Sequence, residues 1–170
     1  MTVTKMVCIA QEKLNFFRGK FLEINPVSID DNENIFEQDI VIQLENGMKI
    51  SLFDESGLCD KNIIGKIKEF QILSGILLTL EKKAIKIEDR GIFPHPSDQG
   101  PTADLKGILE EIFEPKNGDS NFSQKYAIMN LGIGEILLII RKTQVEDINI
   151  FHKGDMVIAR SAHLVLLSIK

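Results

Sequence analysis

Short Ile- and Leu-rich runs bounded by turn residues recur along the whole chain, and that pattern predicts strands. The clearest are Ile40 to Leu44, Met48 to Phe53, Ile72 to Leu80, Ala127 to Leu131, Glu135 to Ile140, Met156 to Arg160 and Leu164 to Ile169. In the segment Phe17 to Ile24, Phe17, Gly19 and Phe21 share one alternating face while Lys20 and Leu22 take the other, as in a strand bent at a glycine. Leu105, Ile108, Leu109 and Ile112 taken alone have the i, i+3, i+4, i+7 spacing of a helix. Their likeness to the Phe17 segment assigns them to a strand as well. A short helical turn is predicted at Gln144 to Ile148, and the chain as a whole reads as all-β.

The two halves can be laid over each other with an offset of about 88 residues. Phe17 to Ile24 falls on Leu105 to Ile112, each followed by a proline, Pro26 or Pro115. A polar stretch comes next, Asp30 to Asn34 in one half and Lys116 to Asn121 in the other. Then come two hairpins, one turning at Asn46-Gly47 and one at Gly132-Ile133-Gly134. Gly65 to Glu81 aligns with Gly154 to Lys170 without a gap. Residues 88–102 hold Gly91, Pro94, Pro96, Ser97, Gly100 and Pro101, a linker composition. The predicted organisation is therefore a first small β-barrel over 1–87, a linker over 88–102 and a second, similar barrel over 103–170. Units of about 70 residues without disulfides or metal have thin cores, so the halves are expected to lean on each other or on a second copy.

Composition narrows the function more than it defines it. Hydrophobic residues make up 44% and charged residues 26%, the usage of a folded globular chain. The net charge of -5 and the pI near 5.3 supply no global basic field for phosphate backbones or anionic membranes. The apolar stretch Met6 to Ala10 is short for an export signal, and no run approaches the length of a membrane helix. These features predict a cytoplasmic protein without membrane contact, and leave Cys8 and Cys59 as reduced thiols. The sequon Asn121-Phe122-Ser123 then carries no weight.

Chemical motifs are sparse. His95, His152 and His163 have no His or Cys at metal-ligand spacing, so no metal or other cofactor is expected. Neither a nucleophile elbow nor a phosphate loop nor a paired set of catalytic carboxylates appears, and the expected role is nonenzymatic. With one Tyr, no Trp and an acidic balance, single-stranded nucleic acid is a remote alternative. The strongest local signal is a charge contrast: Asp54-Glu55-Ser56 follows the first hairpin where Arg141-Lys142-Thr143 follows the second. Two cations and a hydroxyl beside backbone N–H groups suit an oxyanion. Arg141, Lys142 and Thr143, with Arg160 and Ser161, are the candidate anion contacts.

Two further segments carry a family resemblance. Asn15-Phe16-Phe17-Arg18-Gly19-Lys20-Phe21 resembles the opening of the small molybdate-binding (Mop) and transport-associated (TOBE) barrel family. Lys153-Gly154-Asp155-Met156-Val157-Ile158-Ala159, with His163 to Leu167, resembles that family's closing motif. Ala103 stands where the second opening would have Asn, and Gly65-Lys66-Ile67 is a reduced closing motif. The resemblance implies a pair of oligomer-forming barrels of the oligonucleotide-binding type. The resulting expectation is a tandem-barrel binding or interaction module with a protein partner or self-association, and a molybdate- or tungstate-like oxyanion as the alternative ligand.

Overall fold

The structure, a computed structural model, describes residues 3–33, 35–95, 102–114, 124–145 and 147–170. The polar stretch 116–121, the sequon, most of the proline-rich part of the linker and residue 146 of the predicted helical turn lie outside them. Among the described residues one α-helix, α1 (Val3–Lys13), precedes nine strands. They are β1 (Phe17–Ile29), β2 (Ile35–Leu44), β3 (Lys49–Asp54), β4 (Ile67–Lys82), β5 (Gly91–Pro94), β6 (Ala103–Phe113), β7 (Gln124–Asn130), β8 (Glu135–Arg141) and β9 (Met156–Ile169). Single 3-10 turns stand at Lys61–Ile63, Ile87–Asp89 and Ile148–Ile150. Thus the Leu105 segment, with its helix-like spacing, is a strand like its Phe17 counterpart, and 88–102 contributes a strand, β5, paired with β6.

The nine strands form one sheet in the order β1-β2-β3-β9-β4-β8-β7-β6-β5, with further pairings of β1 to β4 and β6 to β9. This corrects the expected fold: the chain is all-β, but it is a single continuous sheet and not two separate small barrels arising by duplication. The physical reason lies in the long closing strands. Within the first half β3 has no second neighbour; β9 of the second half supplies one, in parallel at Phe53 and Val165. Likewise β8 takes β4 of the first half, in parallel from Ile72–Ile136 to Ser74–Leu138. The sheet edge that a half would leave open is thereby paired by the other half. Between them β4 and β9 run antiparallel from Phe70–Ile169 to Lys82–Val157, and this ladder belongs to both halves. One core cluster spans the two, from Phe17, Phe21, Phe70 and Leu52 to Leu105, Leu109, Ile136 and Leu138.

Local geometry repeats within that sheet. The backbone of Phe21 exchanges hydrogen bonds with Gly65 and Lys66 (2.7 and 3.0 Å), and that of Leu109 with Gly154 and Asp155 (2.7 and 2.9 Å). Gly19 and Gly107 sit where another backbone passes close by. A Cβ on Gly107 would lie 2.4 Å from the Asn130 carbonyl oxygen, and one on Gly19 would lie 2.6 Å from Ile42. The β4–β9 register is similarly matched about its middle: Gln71–Ser168 and Ile72–Leu166 skip Leu167, as Leu77–Ser161 and Thr79–Arg160 skip Leu78. These bulges bend both long strands enough to reach each other's neighbours.

No helix of the described residues is long and apolar enough to cross a membrane.

Candidate functional site

The matched registers identify two corresponding outer faces of the sheet. In the second half Tyr126 pairs with Phe113 and Ile139, and Ile128 with Glu111 and Leu137. In the first half Asp39 stands likewise between Asn25 and Phe53, and Val41 between Glu23 and Ser51. Tyr126 therefore corresponds to Asp39, Ile128 to Val41, Leu137 to Ser51, Ile139 to Phe53 and Leu167 to Leu78.

The second-half face is covered by α1. Ala10 and Leu14 pack with Tyr126, Ile128, Leu137 and Ile139 in a cluster of their own, joined by Val7, Leu73, Phe113 and Leu167. Polar contacts fix the helix end. The Gln71 amide donates to the carbonyls of Gln11 and Leu14, the Asn15 N–H donates to the Glu135 carboxylate at 2.9 Å, and Lys13 pairs with Glu111 at 2.6 Å. An isolated helix of this length is marginal in water, so docking on the sheet is what holds it.

On the first-half face no helix lies among the described residues. Leu78 and Ile76 of β4 remain 49% and 45% exposed, while Val41 of β2 and Phe53 of β3 are half-buried. His163 of β9 borders them: its ring centroid lies 4.9 Å from that of Phe53, and its Nε2 lies 3.3 Å from Glu55 Oε1. Glu55 is held there by its neighbour Asp54. The fully buried Asp54 carboxylate accepts hydrogen bonds from the backbone N–H groups of Ser56, Leu58 and Cys59 and from the Gln38 amide. It thus ties down the turn from which Glu55 projects. Burial pushes the Asp39 carboxyl above its ordinary value, and the charge of His163 opposes the shift. The face combines apolar side chains with acidic ones around a single imidazole.

The five candidate anion contacts occupy different surroundings. Arg141, at the end of β8, directs its guanidinium to the Gly75 carbonyl at 3.4 Å, while Lys142 and Thr143 are exposed in the turn beyond it. Arg160 forms a two-pronged ion pair with Asp104 (2.8 and 3.3 Å), which also lies 3.1 Å from His95 Nε2. Ser161 is buried, its hydroxyl 2.7 Å from that of Ser74. Arg141 and Ser161 both approach the bend of β4 at Ser74 to Ile76, whereas Arg160 is directed to β6. A cleft of about 480 Å³ between the end of β4 and the turn after β8 is lined by Thr79, Glu81, Lys82, Gln144, Asp147 and apolar neighbours, and by none of the five.

The open face had only partial signals in the sequence. Glu55 belongs to the charge contrast, and His163 appears there as a histidine without metal-ligand spacing and as the start of the closing-motif strand. The significance of Asp39, Phe53, Ile76 and Leu78 depends on a register between distant strands.

Compared with known protein families and curated proteins, the chain matches no family model and no curated relative. The expected kinship with the Mop and TOBE barrels is corrected by the single-sheet topology. The tandem-barrel function goes with it, and neither the oxyanion nor the single-stranded nucleic-acid alternative has a family match to support it.

Proposed function

We propose that the protein is an interaction module whose open first-half face receives an amphipathic helix of a partner protein. The observation that carries this reading is internal to the molecule. The same arrangement of strands occurs twice; one copy holds a helix, and the other leaves Ile76 and Leu78 about half exposed. Among the described residues no second helix stands on that face. The segment preceding β6, which corresponds to α1 preceding β1, contains Gly91 and Pro94 and forms strand β5. Proline removes a backbone donor and clashes within a helix, so this segment cannot copy α1. A helix of about three turns, roughly 16 Å long, would match the span that α1 covers.

A fluorescent synthetic peptide with a Leu/Ala stripe and a neutral Gln face is the probe. Saturable binding, weakened at least tenfold by Leu78→Asp, supports the reading. Absence of saturable binding, or binding indifferent to Leu78→Asp, overturns it. A dimer of the protein alone that Leu78→Asp dissociates assigns the face to a second copy and also overturns it.

The compartment proposed is the cytoplasm. Cys8 is free and exposed on α1, and Cys59 is free and buried, its thiol pushed up to about 12 chiefly by burial. Two unpaired thiols suit a reducing environment.

A further inference from the structure

The two outer faces differ in charge as well as in cover. On the open face the alternation of strands β1 to β3 brings Glu23, Glu37 and Asp39 to one side, with Glu55 just beyond Phe53. Lys49, in the same row as Val41's partner Ser51, Lys20, which joins that row through Gln43, and His163 are the cations there. Among the described residues Glu23, Glu37 and Asp39 have no salt bridge, and Glu55 has only His163. On the covered face the position of Asp39 is taken by Tyr126 and, counting on from the matched Phe53 and Ile139, that of Glu55 by Arg141, one residue off the Asp54–Arg141 alignment expected from the sequence. The covered face also shows how a docked helix meets an acid. Lys13, in the last turn of α1, pairs with Glu111 and lies 5.0 Å from the Phe113 ring centroid. Glu111 is the counterpart of Glu23.

We infer that the occupant of the open face is a cationic amphipathic helix, carrying a Lys or Arg in its last turn to meet Glu23 and a second cation over Asp39 and Glu55. This rests on the docking reading above and names the chemistry of the partner. An acidic helix would bring like charges together on a partly dry surface, and a neutral one would cover Asp39 without compensating it. A basic helix covers the apolar stripe of Phe53, Ile76 and Leu78 and neutralises the acids around it. The four acids outnumber Lys20, Lys49 and His163 together, so the face is acidic whether or not His163 is charged.

The test uses the full chain and three synthetic helical peptides with the same Leu/Ala stripe. They carry Lys, Gln or Glu at two positions, one in the last turn and one a turn and a half earlier. The expected order of affinity is Lys over Gln over Glu, with at least tenfold between the ends at 20 mM salt. The difference should shrink in 0.5 M salt, where exposed charges are screened. The double variant Asp39→Asn, Glu23→Gln should reduce the Lys preference to less than threefold while leaving the Gln peptide's affinity in place. Equal binding of all three peptides, or a preference for Glu, overturns the charge inference and leaves helix docking standing. If none binds, including the neutral one, the docking reading itself fails and this inference with it.

Discussion

The two outer faces are built on the same backbone register, yet one is apolar at nearly every central position and the other alternates apolar with acidic side chains. Tyr126, Ile128, Leu137, Ile139 and Leu167 lie beneath α1; Asp39, Val41, Ser51, Phe53 and Leu78 face outward. A strand pattern thus fixes where a side chain points, while the residue tolerated there depends on what covers it. Asp39 in place of Tyr126 and Ser51 in place of Leu137 keep the open face compatible with water. Leu78 and Ile76 keep it adhesive.

That contrast can be broken most severely from the covered side. Leu137→Asp places a carboxylate under α1 with no cation to meet it, and should cost about 3 to 5 kcal/mol in urea unfolding. Ser51→Asp, at the corresponding open position, should stay within about 0.5 kcal/mol of the parent. Equal losses at the two sites would remove the distinction between the faces. Next in size is Asp54→Asn, which leaves Ser56 and Leu58 their acceptor oxygen but sets an NH2 group against the Cys59 N–H and the Gln38 amide; a loss of about 2 kcal/mol is expected by the same method.

Two smaller effects carry a pH signature. Hydrogen bonding from Arg160, opposed by burial and reinforced by His95, lowers the Asp104 carboxyl below its ordinary value of 3.8. A lowered carboxyl contributes stability that is fully present above that ordinary value and is lost as pH falls through the lower folded one. The stability difference between the parent and Arg160→Ala should therefore be constant from neutral pH down to about pH 5 and shrink below about pH 4. An unchanging difference across that range would place the contribution of Arg160 elsewhere. Asp39 runs the other way, because its carboxyl is raised by burial. Its ionised form works against folding above the raised value, and the penalty fades as pH falls through that value and disappears below the unfolded one. Asp39→Asn should be slightly more stable than the parent at neutral pH and equal to it in acid, and a variant less stable at neutral pH would contradict this assignment.

Much of the strand content was legible because alternation is a local property. Phe17, Gly19 and Phe21 alternate in the sequence as they do in β1, and Gly19 and Gly107 mark the same close approach in both halves. The sheet order was not legible. That β9 pairs with β3 depends on Phe53 meeting Val165 across the chain, and a run of Ile, Leu and Val looks the same beside any neighbour. Two similar halves were consequently expected to close separately, whereas their long last strands were available to pair with each other. Helix α1 is hard to read for a different reason. Val7, Ala10 and Leu14 stand at i, i+3 and i+7, but the compact apolar stretch Met6 to Ala10 reads equally as a fragment of an export signal. Arg160 looked like a free cation because Asp104, its partner, lies 56 residues away.

Methyl NMR of the intact protein during titration with the Lys peptide reads whether the uncovered face of the first half seats a helix. The methyl signals of Val41, Ile76 and Leu78 should shift progressively and saturate together while those of Leu137 and Ile139, under α1, stay in place. Shifts centred on Leu137 and Ile139, or none at Val41, Ile76 and Leu78, would contradict helix docking there.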